Sequence, residues 1–217
     1  MQLSCFHWKL PNGIAGSFSK PIIIFVHQWG LLGGNSRLMV GLAKGMGSLG
    51  FESITFDLRG VGSSTGSASW TNSAEVEDLK AVINYCTENS NKDIFLVGSS
   101  AGASIVGATI DYSHRVTGAA FIGYVWGFWT SFLFSWGYEA IKNSVKPKLF
   151  IIGDKDEFTS LSTYRTRIDE LGGEVNEIKN IEGKNHFEIE SPVYDREVAC
   201  WISDFISLYV DKEVNSS

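Results

Sequence analysis

Two stretches of this chain match G-x-S-x-G, a spacing that can present a serine hydroxyl as a nucleophile. They are Gly98–Ser99–Ser100–Ala101–Gly102 and Gly62–Ser63–Ser64–Thr65–Gly66. Context separates them. An apolar run at 94–97 feeds directly into Ser100, and a helical pattern begins at once over 101–110. A strand–turn–helix elbow of this kind holds the hydroxyl in a sharp turn above a sheet. Ser64 has neither a strand before it nor a helix close behind it, so it is a loop serine.

A serine hydroxyl needs a neighbouring base to take its proton. The chain has four histidines, His7, His27, His114 and His186. In the order Ser…Asp…His, only His186 follows both the nucleophile and a candidate acid. The apolar run 149–152 leads into Gly153–Asp154–Lys155–Asp156–Glu157, which offers three carboxylates. Asp156 is the preferred acid, because a full turn separates it from the strand and lets it bend back toward His186. Asp154 suits a turn or helix cap, and Glu157 is the third choice. An oxyanion needs backbone donors. Ala101 should supply one, and the loop after run 22–26 the other, from Trp29 or from Gln28. His27 in that loop is read as a hydrogen-bonded residue that shapes it.

These residues require a scaffold, and the hydrophobic pattern supplies one. Short apolar runs at 22–26, 53–56, 94–97, 119–123, 149–152 and 174–178 alternate with amphipathic stretches, the signature of a parallel sheet covered on both faces. Asn72 and Ser73 open a helix whose one face carries Val76, Leu79, Val82, Ile83 and Cys86. Asn35 precedes a second helical run through Leu38, Leu42 and Met46, and 161–171 and 194–209 are two more. Residues 3–10, with a turn at Pro11–Asn12–Gly13, suggest a hairpin entering the sheet. The fold class is therefore α/β, with one domain over residues 1–217. Ligands of such sheets bind beyond the carboxyl ends of the strands, where the candidate residues fall.

Composition excludes several functions. The net charge of −6 and the lack of a basic run argue against nucleic acid. Three scattered cysteines, Cys5, Cys86 and Cys200, suggest reduced thiols in a cytoplasmic protein. No cofactor and no metal are expected: histidines and cysteines do not cluster at ligand spacing, and Gly60-x-Gly62-x-x-x-Gly66 is not a dinucleotide loop. Residues 116–138 are 23 positions without a charge, long enough to span a bilayer. A single crossing would put Ser100 and His186 in different compartments, so the segment is read as a buried strand followed by an aromatic loop.

Taken in order, five features resemble the α/β-hydrolase superfamily across nearly the whole chain. They are His27-x-x-Gly30-x-x-Gly33–Gly34, Asp57–Leu58–Arg59–Gly60–Val61–Gly62–Ser63–Ser64, the Ser100 elbow, Gly153-x-x-Asp156 and Gly183-x-x-His186. The chain most resembles small lid-less members near dienelactone hydrolases and acyl-protein thioesterases. Gln28 stands where relatives commonly have glycine. The resemblance implies structural roles for Asp57 and Arg59 and an ester or thioester of a small or acyl substrate. Other members of the fold act as slow-turnover sensors or as lyases, and fold alone does not decide among them. The interval 124–148 is too short for a cap domain, so the site should be open. Its aromatic residues, Trp126, Phe128 and Trp129 foremost, either pack the domain edge or form an apolar wall for the substrate.

Overall fold

Along the inner strands, successive side chains turn to opposite faces, and both faces are apolar. Ile22, Ile24 and Val26 belong to one core, Ile23 and Phe25 to the other; Ile94 and Leu96 part from Phe95 and Val97 in the same way. A strand buried on both sides is stable only between two helical layers. A computed structural model, which describes residues 1–10, 20–28, 30, 33–126 and 136–210, has that architecture. The strands are β1 (Ser4–Trp8), β2 (Ile22–Val26), β3 (Ser53–Asp57), β4 (Ile94–Ser99), β5 (Val116–Ile122), β6 (Lys148–Gly153) and β7 (Asn176–Ile181). They form one sheet in the order β1-β3-β2-β4-β5-β6-β7. Only β1 is antiparallel to its neighbour.

Six α-helices cover the sheet among the described residues: α1 (Val40–Ser48), α2 (Ser73–Asn89), α3 (Ala101–Thr109), α4 (Trp136–Asn143), α5 (Leu161–Ile168) and α6 (Asp195–Tyr209). One core receives Leu79, Val82, Ile83 and Cys86 of α2, Ile105 and Val106 of α3, Ile141 of α4 and Tyr164 of α5. The other receives Leu42 and Met46 of α1 with Val198, Ile202, Phe205 and Ile206 of α6. The strand order reverses between β2 and β4. The crevice beyond their carboxyl ends is thus the topological switch point, where such sheets place a ligand.

Several sequence expectations shift. The first strand is not hairpinned to the next: β1 pairs with β3, register Ser4 opposite Asp57, and β2 lies on the far side of β3. The turn at residues 11–13 lies outside the described residues. The strand expected at 174–178 runs instead from Asn176 to Ile181, half-buried at the sheet edge, because its pairing with β6 continues as far as Gly153. Leu38, expected on the inner face of its helix, is exposed, since residues 36–39 form a 3-10 turn before α1 begins. Asn72 does precede α2 but makes no side-chain cap, its backbone being left-handed.

The uncharged segment 116–138 opens with the interior strand β5. Among the described residues no helix is long and apolar enough to cross a membrane. Between β5 and β6 those residues contain a short loop, 123–126, and α4, with no separate cap. At the start of β6, buried Lys148 ties the stretch before that strand to the turn at Gly172. Its Nζ donates to the carbonyls of Ser144 at 2.7 Å, Lys146 at 3.0 Å and Gly172 at 2.8 Å.

Candidate active site

Both elbow glycines are explained by close approach of the backbone. A β-carbon on Gly98 would lie 2.5 Å from the Gly102 carbonyl oxygen, and one on Gly102 would lie 2.4 Å from those of Val26 and His27. Such distances are well inside van der Waals contact, so α3 packs against β2 and β4 only without side chains there. The turn between them forces Ser100 to φ 52° and ψ −117°, a conformation L-residues seldom adopt. Its amide donates to Ile122 O at 2.8 Å, which fixes the elbow to β5.

The three residues expected to work together are in hydrogen-bonding sequence. Ser100 Oγ lies 2.9 Å from His186 Nε2, and His186 Nδ1 lies 2.7 Å from Asp156 Oδ2. A carboxylate only accepts, so Nδ1 carries the proton and Nε2 turns its lone pair toward the serine. His186 is 2% exposed, and Asp156 is buried beneath it. The other oxygen of Asp156 accepts from the amides of Phe158 at 2.8 Å and Thr159 at 2.9 Å, so the carboxylate cannot swing away.

The two rejected carboxylates have different tasks. Asp154 accepts from the Gly183 amide at 2.6 Å, and Glu157 accepts from the His186 amide at 3.1 Å. Both tie the acid loop to the histidine loop. Neither carboxylate makes a hydrogen bond to the imidazole.

Ser64 is tied into the fold: it donates to Asp57 O at 2.6 Å and accepts from the Ser4 amide at 2.8 Å. His27 Nδ1 donates to Gln28 O at 2.6 Å, and Nε2 accepts from the Leu58 amide at 3.1 Å. Burial holds its pKa below the usual histidine value, which suits a neutral ring bracing two loops. Asp57 accepts from the Ser36 amide at 2.9 Å, while the Arg59 guanidinium meets buried Asp78 at 2.6 Å. Of the expected oxyanion donors, Ala101 is the first residue of α3, where an amide has no partner within the helix. Trp29 lies outside the described residues, as do Phe128 and Trp129 of the aromatic wall.

Trp126 requires a correction. Its ring packs among Phe150 at 5.2 Å, Tyr164 at 4.7 Å and Tyr124 at 4.8 Å, and the residue is 8% exposed. It belongs to the core rather than to an acyl wall, because its backbone is held inward by Thr159 Oγ1, 2.8 Å from its amide. Trp126→Ala should therefore lower the melting temperature, the loss of a buried aromatic costing about 3–5 kcal/mol, without altering the ratio of medium-chain to acetyl ester rates. A selective loss of medium-chain turnover would restore the wall.

Two features were missed. Phe158 and Phe187, 42% and 62% exposed, flank the imidazole with ring centroids 4.8 and 5.4 Å from it. They are adjacent in sequence to residues already singled out, and that adjacency was the available signal. Glu190 accepts a hydrogen bond from buried Ser99, the residue before Ser100. Nothing in the sequence around it announces this.

The sheet order, the elbow and the covering helices define an α/β-hydrolase fold. A family model described as "Serine aminopeptidase, S33" matches residues 19–137, more than half the chain, and the chain belongs to that family. Solved structures agree on the architecture. An alpha-beta serine hydrolase homologue from Coxiella burnetii is 27% identical, with TM-score 0.76 over 92% of this chain and 91% of that one. A serine hydrolase without a lid from Xanthomonas campestris is 18% identical, with TM-score 0.77 over 94% and 88%. Est1E from Butyrivibrio proteoclasticus, solved with ferulic acid bound, is 15% identical, with TM-score 0.78 over 96% and 95%. The last two likenesses concern the fold alone. An uncharacterized 31.7 kDa protein from the traX-finO intergenic region of Escherichia coli is 34% identical over 119 residues, 50% of this chain and 41% of that protein. The chain thus spans about two fifths of the length of the curated relatives it matches.

Proposed function

We propose that this protein is a serine hydrolase that cleaves a carboxylic ester or thioester through an acyl-enzyme on Ser100. The observation that carries this reading is the hydrogen-bonded series Ser100–His186–Asp156 at the carboxyl ends of β4, β7 and β6. His186 Nε2 takes the hydroxyl proton as Ser100 Oγ attacks the acyl carbon, while Asp156 stabilises the imidazolium that forms. The Ala101 amide faces the developing oxyanion together with a donor from the loop after β2, for which Trp29 is the first choice and Gln28 the second. The imidazolium then protonates the departing alcohol or thiol. Water, deprotonated by the same nitrogen, releases the acid. The exposed rings of Phe158 and Phe187 supply apolar surface beside the base, which suits a substrate with an aryl or alkyl group there.

A panel of p-nitrophenyl esters, acyl-thioesters and aminoacyl p-nitroanilides, run beside fluorophosphonate labelling and peptide mapping, tests the proposal. Multiple turnover of esters or thioesters with the adduct on Ser100 is expected. Faster cleavage of the anilides would make the enzyme an amidase. A single slow turnover accompanied by a thermal shift would point to a ligand sensor, and an adduct on the Ser64 peptide would overturn the elbow assignment.

A further inference from the structure

A general acid fixes where a leaving group must lie. The proton that His186 Nε2 takes from Ser100 has to reach the departing oxygen or sulfur, which must come within hydrogen-bonding distance of that nitrogen. Whatever the leaving atom carries is therefore set down against the surroundings of the imidazole. Two phenyl rings occupy those surroundings. Phe158 stands 4.8 Å and Phe187 5.4 Å from the imidazole, centroid to centroid, and the two are 5.9 Å apart, with every pair close to perpendicular. The imidazole is buried, yet both phenylalanines are exposed. Their backbones are held: the Phe158 amide donates to Asp156 Oδ1 at 2.8 Å and the Phe187 amide to Asn185 Oδ1 at 3.1 Å. Rings open to water forgo the stabilisation that burial would bring, and these two do so side by side against the candidate base. The loops that carry them are acidic. Residues 153–159 and 182–190 contain six carboxyl groups against two lysines, Lys155 and Lys184, and Lys184 is already paired with Glu188 at 3.4 Å.

We infer that Phe158 and Phe187 form a leaving-group platform, and that the substrates are uncharged esters or thioesters whose alcohol or thiol part carries an aryl ring. The platform presupposes the serine-hydrolase reading above. It differs from an acyl wall in position. The acyl carbon bonds to Ser100 Oγ and stays there, while the alcohol or thiol departs past the imidazole that protonates it. Two near-perpendicular rings offer an incoming aryl ring a face to stack on and an edge to meet, the arrangements that aromatic pairs favour. Covering both rings takes apolar surface out of water while the leaving atom must stay aligned with Nε2. The acidic loops set the charge. A leaving group that bears several phosphates is repelled by them, so thioesters of phosphorylated carrier thiols should be poor substrates. An uncharged aryl alcohol or thiol meets no such opposition.

The test runs two ester series on wild type, Phe158→Ala, Phe187→Ala and the leucine variant at each position, with melting temperatures alongside. The leaving-group series joins acetate to methyl, cyclohexylmethyl and benzyl alcohol. The acyl series joins methyl alcohol to acetate and to phenylacetate. Wild type should favour benzyl over methyl acetate in kcat/KM by about tenfold or more. Each alanine variant should lower that ratio by about 3- to 10-fold, while the ratio of methyl phenylacetate to methyl acetate stays within about twofold. Leucine, apolar but without a ring, should restore cyclohexylmethyl acetate more fully than benzyl acetate. S-benzyl thioacetate should be cleaved well ahead of acetyl-coenzyme A. A benzyl-to-methyl ratio that both alanine variants leave within about twofold of wild type overturns the platform, and so does an equal loss on every ester, which would make the rings a shield for the imidazole. A loss confined to the acyl series overturns it in favour of an acyl wall. Acetyl-coenzyme A cleaved as fast as S-benzyl thioacetate overturns the selection by charge. Should an alanine variant fail to fold, the leucine variant at that position carries the same comparison. Wild-type protein that neither turns over any ester nor labels at Ser100 overturns the serine-hydrolase reading, whereas turnover with unchanged ratios sinks the platform alone.

Discussion

Replacing Ser100 with alanine should lower kcat for an activated ester by roughly 10⁶-fold, leaving only what the oxyanion donors and substrate binding provide. The size of the effect follows from the geometry: among the described residues, the hydroxyl of Ser100 is the one on His186 Nε2, 2.9 Å away. Without it the imidazole has no nucleophile to deprotonate except water. Glycine at the same position should be as inactive as alanine but more stable. Alanine keeps the β-carbon that φ 52° disfavours, whereas glycine removes it, a gain of about 1 kcal/mol after the entropic penalty of glycine. Steady-state turnover with calorimetric melting of both variants checks the pair. An alanine variant that keeps more than about a thousandth of wild-type activity would mean that another group is the nucleophile. A glycine variant less stable than the alanine one would mean that the elbow stores no strain.

The strain at Ser100 also explains why so much was legible before the fold was known. G-x-S-x-G can be read because its glycines are required by backbone contact, Gly98 against the turn of the elbow itself and Gly102 against the neighbouring strand β2. His186 was reached through chain order, and Asp156 through the length of turn needed to bend back. Both inferences hold for any sheet that brings the ends of β4, β6 and β7 together. Glu190 could not be reached in this way. A glutamate in the stretch Glu188–Ile189–Glu190 reads as a solvated carboxylate, and only the 3-10 turn that brings it to the Ser99 hydroxyl leaves it half-buried. Lys148 was hidden for the same reason, since its carbonyl partners belong to segments separate in sequence. The pairing of β1 with β3 is a matter of topology, to which a run of five residues is blind. For Trp126 the sequence left packing and an apolar wall both open, because period and composition locate a loop aromatic without saying which way its ring turns.

The acid gives the sharper of the two large effects, because three carboxylates within four residues can be separated by one kind of substitution. Asp156→Asn preserves an oxygen for the amides of Phe158 and Thr159, so the loop should keep its shape. The nitrogen then faces His186 Nδ1 and donates to it. The ring proton moves to Nε2, which no longer accepts from Ser100. The expected loss in kcat is on the order of 10⁴ with little change in melting temperature, if the behaviour of serine proteases transfers. Asp154→Asn still offers an oxygen to the Gly183 amide, and Glu157→Gln one to the His186 amide. Each exchanges a charge-assisted hydrogen bond for a neutral one, worth about 1 kcal/mol of loop stability, and should lower kcat by less than about tenfold. Adding Asp156→Asn to Ser100→Ala should cost almost nothing more, since a base without its nucleophile has no proton to take. Larger damage from Asp154→Asn than from Asp156→Asn would move the acid to Asp154. Equal, modest losses at all three positions would mean that His186 works without a partner carboxylate, and that the 2.7 Å contact with Asp156 only holds the ring in place.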